Sequence, residues 1–377
     1  MRDNSRRRIK IVIIGSYPDR IKGSLLRQLN IWYSIRDLES FNVMYIHLTK
    51  ESVHRMRDLI FSDIVILSGT ASSIYSLLLL FIRKILRKPS IVDFHGIGWY
   101  EDSIAHGGNK LKQVLRRSLT FTYEFLAYKT ADHVVAASHL LSFILKRYFK
   151  PRKNLHVIEN SVTPLFEKIV KRLRDLDPSL LRRHLHDVLK IPHNSYVLLC
   201  PLPENFASNK LAIDALSDIE KSLDEKVCII VTGVKSRNEK GVGRVIYAGY
   251  LSYVEYVALI MISSGVLLPY PPNAICGGVR NKVLEAGYCG KILFSTRTGV
   301  LFTKAQPKVH YYPIDDLLSD SNDKITISVD LLTKKELDCM AKEFKSYIDS
   351  RHLFTEFKSN LLKLLAKILS RTQYLAT

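Results

Sequence analysis

The sequence predicts an α/β protein built from two doubly wound, mostly parallel sheets, one in each half of the chain. Short, continuously apolar segments such as "IKIVIIG" at residues 9–15 alternate with longer segments of helical spacing, as expected for parallel strands buried on both faces. This alternation stops in a charged stretch near residue 165 and restarts near residue 190. At 377 residues the chain is also too long for one ordinary core, which favours two domains.

In the first half, the apolar segments and the helical segments predict six strands and four helices. We expect strands in "IKIVIIG", "FNVMYIHL", "SDIVILSG", "PSIVDFHG", "DHVVAAS" and "LHVIENS". Helices are expected at 23–38, 73–86, 109–130 and 140–149. The apolar part of the helix at 73–86 is far shorter than the roughly 20 residues that a membrane span needs, so it should be a buried or interfacial helix.

The second half repeats the pattern after a helical linker that contains Pro178. We expect strands in "SYVLLCP", "KVCIIVTG", "RVIYAG", "GVLLPY" and "KILFST", and helices at 209–223, 252–262 and 280–288. A wholly helical tail follows at 333–370. The expected divisions are a first Rossmann-like domain at 1–165, a linker and first helix at 166–189, a second Rossmann-like domain at 190–335 and a helical tail at 336–377.

The composition of the chain favours an anionic partner but does not identify it. Lys and Arg number 56 against 36 Asp and Glu, a net charge of +20, which favours phosphorylated ligands, acidic membrane surfaces or nucleic acid. Nucleic-acid binding is the weaker alternative, because the chain shows no zinc finger, RNP-like strand or long basic tail. A dinucleotide-dependent oxidoreductase would need GxGxxG after the first strand, where the chain has "GSYPDRIKGS".

The five cysteines are irregularly spaced and form no CxxC pair, which is typical of buried, reduced thiols and argues against a structural zinc site. The apolar run behind the basic N-terminus is too short for a signal-peptide core. We therefore expect a cytoplasmic protein. Basic segments with interleaved apolar residues, such as "RKILRK" and "KLKQVLRR", would suit peripheral contact with an anionic membrane on the cytoplasmic face, or are solvated helix faces.

The segment "GGVRNKVLEAGYCGK" at 277–291 has the composition of an anion-binding loop. Its glycines precede a helix N-terminus, which offers unpaired N–H groups and a partial positive charge to phosphate. Arg280 and Lys282 strengthen that field, and Glu285 lies one turn further on, where a carboxylate would accept hydrogen bonds from ribose. The alternative is structural: a glycine turn, two solvated cations and a carboxylate that compensates the helix end.

From about residue 9 to 300 the chain resembles the GT-B glycosyltransferases, specifically the retaining family called GT4. "NKVLEAGYCGKILFST" after "VLLPY" is similar to the donor-binding signature of that family and is the most specific match. "IGSYPDRIKGSLLRQL" resembles its first glycine loop, "VDFHGIGWY" its active-site histidine loop, and "ADHVVAAS" with "VIENSV" its next conserved run. Each match is weak alone, and their common order and spacing carry the resemblance.

The resemblance implies a retaining, metal-independent, hexosyltransferase-type enzyme that moves a sugar from a nucleotide diphosphate sugar to a glycan or lipid-linked acceptor, with no further cofactor. It implies a C-terminal helix, at 353–370, that returns to the first domain. His95 and Arg280 would be catalytic, His95 at the transferred sugar or acceptor hydroxyl and Arg280 at the leaving diphosphate. The donor would contact Lys210, Gly277, Gly278, Asn281, Lys282 and Glu285, and the first glycine loop would contain Gly15 and Gly23.

Two departures from the family pattern concern catalysis. The family often has a glutamate eight residues before the ribose-binding one, and that position here is Gly277. It also tends to place an arginine six residues before the lysine that corresponds to Lys210, where this chain has Glu204. The alternative to an active transferase is therefore a catalytically degenerate protein that only binds a nucleotide sugar or a glycan.

Overall fold

The structure is a computed structural model of the chain. It describes residues 8–15, 23–47, 55–69, 71, 73–105, 110–192, 194–204, 206–234, 244–275, 278–318 and 326–374.

Two parallel sheets of six strands each form the framework of the described residues. The strands are β1 Ile9–Gly15, β2 Phe41–His47, β3 Ile64–Ser68, β4 Ser90–Phe94, β5 His133–Ala136, β6 Leu155–Val157, β7 Tyr196–Pro201, β8 Val227–Thr232, β9 Val245–Tyr247, β10 Gly265–Leu268, β11 Ile292–Ser295 and β12 Tyr312–Pro313. The central strands are buried along their whole length, in agreement with their continuous apolar sequences. The predicted fold class is confirmed.

The strands of both sheets are connected largely by helices. The helices are α1 Gly23–Ile35, α2 Met56–Phe61, α3 Ile74–Ile85, α4 Gly98–Ala105, α5 Lys110–Thr130, α6 His139–Phe149, α7 Pro164–Arg174, α8 Pro178–Leu189, α9 Ala207–Asp214, α10 Leu216–Glu220, α11 Tyr253–Ile262, α12 Asn281–Tyr288, α13 Arg297–Val300, α14 Val329–Leu332, α15 Lys335–Arg351 and α16 Phe354–Tyr374. A 3₁₀ turn, Asp315–Leu318, lies between β12 and α14.

The chain divides into two compact units, each built around one sheet. The first unit contains the described residues up to Thr163, together with Gly278, Val279 and the residues from Leu353 onward. The second unit contains the described residues from Pro164 to Ile275 and from Arg280 to His352. The stretch expected as a linker and first helix forms α7 and α8, and both helices belong to the second unit.

In the first unit the strand order is β2-β1-β3-β4-β5-β6. Because crossovers between parallel strands are right-handed, α2, α3, α5 and α6 lie on one face of this sheet and α1 on the other. The C-terminal helix α16 packs against α1, and Leu361 and Leu365 join Ile31 and Ile35 in one buried cluster with the strands. The expected return of the C-terminal helix to the first domain is confirmed.

In the second unit the strand order is β12-β11-β10-β7-β8-β9. The chain reverses its direction across the sheet between β7 and β10, so the loops after these two strands leave toward opposite faces. In the same unit, the helices α12 and α15 pack closely against each other, because Gly287 has no side chain: a Cβ at this position would lie 2.5 Å from Ile348 Cγ1.

Two expected helices are each divided in the structure. The helix expected at 209–223 becomes α9 and α10, which meet at Ala215, where both helices turn an apolar side into the core. The helical tail is interrupted at His352, a buried residue with a non-helical φ of −121°. This break separates α15, which packs in the second unit, from α16, which packs in the first.

A buried ion pair links α1 to the end of β4 in the first unit. The guanidinium of Arg27 donates to both carboxylate oxygens of Asp93, with the shortest distance 2.6 Å from Nη2 to Oδ1, and each residue is almost completely buried. Arg27 also donates to Asn160 Oδ1 at 2.7 Å and lies over the Phe357 ring of α16. The pair therefore ties together a helix, two strand ends and the C-terminal helix.

Removal of Arg27 should be strongly destabilising, because Asp93 would remain as a buried charge without its partner. We expect Arg27→Leu to lower the free energy of unfolding by about 3–5 kcal/mol in urea denaturation. The Arg27→Leu/Asp93→Asn double variant should recover part of that loss, since it no longer buries a lone charge. Lys221→Leu, which removes an exposed pair with Asp218, is the control and should change stability little. A loss below about 1 kcal/mol for Arg27→Leu would contradict this assignment.

Candidate functional site

Arg280 and Lys282, the cations of the segment predicted to bind the donor, lie where the second sheet reverses its strand order. The helix α12 begins at Asn281, directly after Arg280, and its first turn lies near the carboxyl ends of β7 and β10. Ligands of doubly wound sheets bind at such a reversal, where diverging loops leave a crevice. Arg280, which was predicted to be catalytic, thus lies in the second unit together with three of the predicted donor-binding residues, Asn281, Lys282 and Glu285.

Lys282 bridges the ends of β7 and β10. Its ammonium donates to the backbone oxygen of Pro201, to the hydroxyl of Tyr270 at 2.7 Å and to Asn209 Oδ1 at 3.4 Å. Asn209 in turn accepts from the Tyr270 hydroxyl at 2.6 Å and donates to the Pro203 oxygen at 2.7 Å. An ammonium has three N–H groups, so these three contacts use its direct hydrogen-bonding capacity. Its positive charge still acts on the surrounding loops.

Arg280 is fixed by stacking on Tyr270. Its guanidinium carbon lies 3.4 Å from the centre of the Tyr270 ring, and Nη2 donates to the Ala274 oxygen at 2.8 Å. Stacking orders the side chain without using its N–H groups, and a guanidinium has five of them. The arrangement therefore holds a half-buried cation in place with hydrogen-bonding capacity to spare.

Glu285 is a buried carboxylate that lies between two tyrosines of α11. The hydroxyl of Tyr253 donates to Oε1 at 3.0 Å and that of Tyr256 donates to Oε2 at 2.7 Å, while Glu285 itself is only 4% exposed. Burial raises the pKa of Glu285, and the hydrogen bonds from Tyr256 and Tyr253 only partly oppose that rise. A carboxylate has about four acceptor positions, so two stay open to further donors.

Lys210 lies on α9 and is exposed, next to the buried Asn209 that contacts Lys282. Lys210 was predicted from the sequence as a site residue, whereas Asn209, Tyr270, Tyr253 and Tyr256 were not. The two tyrosines of α11 carried a usable signal, because their spacing of three residues places both hydroxyls on one helix face. The contacts of Asn209 with Tyr270 and with Lys282 span 61 and 73 residues of chain, which no local pattern shows.

In the first unit, His95 follows β4 and joins the cluster around Asp93. Its Nε2 lies 2.8 Å from Asp93 Oδ2 and 2.7 Å from the hydroxyl oxygen of Ser68, which ends β3 and itself donates to Asp93 Oδ2 at 2.9 Å. Burial alone would raise the pKa of Asp93, but the Arg27 guanidinium and the His95 ring outweigh it and hold the pKa well below its usual range. Asp93 is therefore ionised.

The ionised Asp93 fixes the tautomer of His95. A carboxylate can only accept, so Nε2 must carry the proton, and in the neutral ring Nδ1 is then an acceptor. Nδ1 has no hydrogen-bond partner among the described residues, although it is buried. The cluster thus leaves His95 Nδ1 as an acceptor that the described residues do not use.

Close packing explains why Gly15 and Gly278 are glycines. A Cβ at Gly15, the last residue of β1, would lie 2.2 Å from the Tyr45 hydroxyl, which donates to Gln28 Oε1 at 2.6 Å. Gly278 and His95 both belong to the first unit. A Cβ at Gly278 would lie 2.1 Å from the backbone oxygen of His95. These contacts require small residues and do not test a role in ligand binding.

Two further predicted residues can be placed less fully. Gly23 is the first residue of α1. Gly277, which stands where the family often has a glutamate, lies outside the described residues.

Across the part of the chain that the structure describes, no group of three or more His, Cys, Asp or Glu side chains could hold a metal ion. In the same residues, no helix is both long enough and apolar enough to cross a bilayer.

Solved structures match this architecture over nearly the whole chain. HepE of Anabaena in complex with UDP-glucose has a TM-score of 0.60 at 12% identity, over 95% of this chain and 100% of HepE. A glycosyltransferase from Rickettsia africae has a TM-score of 0.64 at 13% identity, over 96% and 99% of the two chains. Sucrose-phosphate synthase from Thermosynechococcus elongatus has a TM-score of 0.62 at 12% identity, over 98% and 100%. The fold is GT-B.

At these identities the likeness establishes the GT-B fold and not the reaction. No protein-family model matches the chain, and no curated protein matches its sequence. The two sheets of this GT-B chain correspond to the two Rossmann-like halves expected from the sequence, and the signature helix α12 belongs to the second half.

The raised pKa of Glu285 predicts a pH-dependent stability. Between its ordinary value of about 4.5 and its higher folded value, the native state binds a proton that the unfolded state has lost, so the free energy of unfolding falls as pH rises. We expect Glu285→Gln to lack this fall and to gain up to about 1.4 kcal/mol per pH unit on the wild type in that window. Chemical denaturation at a series of pH values measures the difference.

Glu225→Gln, which changes an exposed glutamate of the same unit, is the matched control and should follow the wild-type pH profile. Parallel profiles for Glu285→Gln and the wild type would show that the Glu285 carboxylate titrates normally, against the expectation.

Proposed function

We propose that the protein is a glycosyltransferase that moves a sugar from a nucleotide diphosphate sugar to a glycan or lipid-linked acceptor. The observation that carries the proposal is the arrangement at the reversal of the second sheet. There a stacked arginine, a helix N-terminus and a buried glutamate one turn further on lie within one short segment, residues 280–285. This is the combination that a diphosphate next to a ribose needs.

The diphosphate would bind at the start of α12. The dipole of a helix N-terminus favours an anion there, and the Arg280 guanidinium is held beside this helix end by Tyr270. The exposed Lys210 on α9 is the second candidate contact. Lys282 would act through its charge, because its N–H groups already donate to protein oxygens. Stabilising the charge that develops on the leaving diphosphate is the main catalytic requirement of such a transfer.

The ribose would bind to Glu285. Two of its acceptor positions receive the tyrosine hydroxyls, which hold the carboxylate in one orientation, and the others would accept the ribose hydroxyls. The complexes of HepE, a protein of the same fold, with UDP-glucose and with UDP support this class of donor. We therefore place UDP-glucose first among the donors to be screened.

His95 would act on the sugar or on the acceptor hydroxyl. Asp93 and Ser68 fix its ring and leave Nδ1 as the acceptor, which suits a hydrogen bond from a hydroxyl group or the transient uptake of its proton. The family resemblance adds retention of the anomeric configuration, a hexosyl group as the transferred sugar and independence of metal. We also propose a cytoplasmic location with peripheral contact to an anionic membrane face, which the basic segments with interleaved apolar residues support.

A second candidate is a degenerate GT-B protein that binds a nucleotide sugar without transferring the sugar. Glu204 favours it, because a carboxylate stands where the family tends to have a cation for the diphosphate; its Oε1 lies 3.5 Å from the Tyr250 hydroxyl. The stacked Arg280 favours the active enzyme, since it supplies an ordered cation nearby.

The deciding experiment measures donor binding and sugar transfer together. Thermal-shift screening against UDP, GDP, ADP and their sugars should identify a donor, and slow donor hydrolysis or transfer should follow with the purified protein. Arg280→Ala should lower turnover by ~100-fold, comparable to the loss of one preorganised charge-stabilising donor. Arg297→Ala, which removes an exposed arginine of the same unit, is the control and should keep full turnover.

The outcomes separate the candidates. Donor binding without any turnover would favour the degenerate protein, and no binding of any nucleotide would contradict both. Loss of turnover in EDTA would contradict the metal-independent mechanism. Full turnover of Arg280→Ala would show that the diphosphate is stabilised elsewhere.

A further inference from the structure

The helix α3 exposes a row of large apolar side chains on the surface of the first unit. Each is at least 43% exposed, and the most exposed reaches 80%. They are Ile74, Tyr75, Leu78, Phe81, Ile85 and Leu86. The opposite side of the helix, with Leu77 and Leu80, is buried against the unit. The folded core therefore accounts for one face of α3 only, and the second apolar face contributes nothing to it.

The first half of α5 extends this apolar face. Leu111, Val114, Leu115 and Leu119 are between 52% and 66% exposed and recur at helical spacing. The helices α3 and α5 pack against each other on the same face of the first sheet. We call the exposed side chains of residues 74–88 and 110–119 the α3–α5 surface. Ten exposed apolar side chains on two adjacent helices exceed the scattered single residues that ordinary surfaces show.

The charges on the α3–α5 surface are all of one sign. Its exposed cations are Lys84, Arg87, Lys110, Lys112, Arg116 and Arg117. The sequence has no Asp or Glu in residues 73–88 or 110–123. An apolar stripe with a cationic border and no acidic residue is the composition of a helix that lies in the plane of an anionic bilayer.

A second copy of the chain fits this surface less well. Two α3–α5 surfaces placed face to face would bring twelve cations together, and like charges oppose such a contact. An acidic nucleic acid would match the charge but would leave the apolar stripe in contact with phosphate and water. An anionic lipid surface matches both features, since acyl chains accept the stripe and headgroups accept the cations.

We propose that the α3–α5 surface docks the protein on the anionic surface of a lipid bilayer. The apolar side chains of α3 and of the first half of α5 would enter the headgroup region, while the lysines and arginines contact anionic headgroups. The docking is peripheral, as both helices lie along the surface of the first unit. This proposal does not depend on the transferase activity, and it adds that an acceptor carried on a lipid would be reached from the first unit.

Vesicle co-sedimentation tests the proposal with the full chain. The wild type should bind vesicles that contain a substantial fraction of phosphatidylglycerol and should bind pure phosphatidylcholine vesicles at least ~10-fold more weakly. Raising the salt concentration should weaken the binding, because screening shortens the range of the attraction. Size-exclusion chromatography with light scattering, without lipid, should give a monomer.

Matched variants test the apolar stripe. Leu78→Ser/Phe81→Ser changes two exposed residues, so folding should be preserved, and binding to anionic vesicles should fall by at least ~10-fold. Leu180→Ser/Val188→Ser, which changes two similarly exposed apolar residues of α8, should bind like the wild type.

A second pair of variants tests the cations. Lys84→Gln/Lys110→Gln/Lys112→Gln should weaken binding by on the order of 5-fold per cation removed. A control variant removes the same charge from exposed lysines of the second unit, Lys168→Gln/Lys171→Gln/Lys221→Gln, and should lose much less.

The proposal is overturned if the wild type does not bind anionic vesicles, or if it binds neutral vesicles equally well. It is also overturned if the α3–α5 variants and their controls lose binding to the same extent. A dimer that Leu78→Ser/Phe81→Ser converts to a monomer would assign the surface to self-association instead. Failure of vesicle binding with intact sugar transfer would leave the proposed enzyme standing, and vesicle binding without transfer would leave the docking standing.

Discussion

The buried pair of Arg27 and Asp93 is the interaction on which the first unit depends. Parallel sheets bring polar strand ends to one edge, where a carboxylate such as Asp93 is buried by the surrounding loops and helices. Arg27 supplies the opposite charge from α1, and Ser68 adds a hydrogen bond from the end of β3. The same carboxylate then orients His95. One electrostatic requirement thus sets the position of α1, of two strand ends and of the imidazole, and a change in any of these would leave a charge or a donor buried without its partner.

In the second unit, the polar groups near the strand ends are held together by a cation, Lys282. Lys282 joins the end of β7 to Tyr270 beyond β10, across the reversal of the strand order. Tyr270 then carries Arg280 on its ring, and the following turn of α12 brings Glu285 to the tyrosines of α11. The local segment 280–285 therefore has one residue that fixes the loops, one ordered cation and one carboxylate with open acceptor positions. In the proposed enzyme, this division of tasks lets the eight-residue helix α12 and the preceding Arg280 combine structural and ligand-binding roles.

The fold could be predicted from the sequence because buried strands and helices have characteristic patterns of apolar residues. Strands such as β3 and β8 are buried at every residue and read as continuous apolar runs. The position of α12 after two glycines could also be predicted. The contacts that each charged side chain makes could not be predicted from the sequence. Lys282 contacts Pro201 across 81 residues of chain, and Arg27 contacts Asn160 across 133. Sequence spacing shows which groups are present near a site, but tertiary contacts decide which of them already have hydrogen-bond partners.

The packing of α3 could also not be predicted in full. Its composition indicated a buried or interfacial helix, and only the structure shows that one face is buried and the other exposed.

The proposed role of His95 requires that Asp93 hold it as the tautomer protonated on Nε2, with Nδ1 left as an acceptor that the described residues do not use. Nitrogen-15 NMR of histidine-labelled protein tests it directly, because protonated and unprotonated ring nitrogens have well-separated shifts. The His95 signals are assigned from their loss in His95→Gln. At a pH where the ring is neutral, we expect a protonated Nε2 and an unprotonated Nδ1, and Asp93→Asn should disturb that preference. A His95 ring protonated on Nδ1 in the wild type would contradict it.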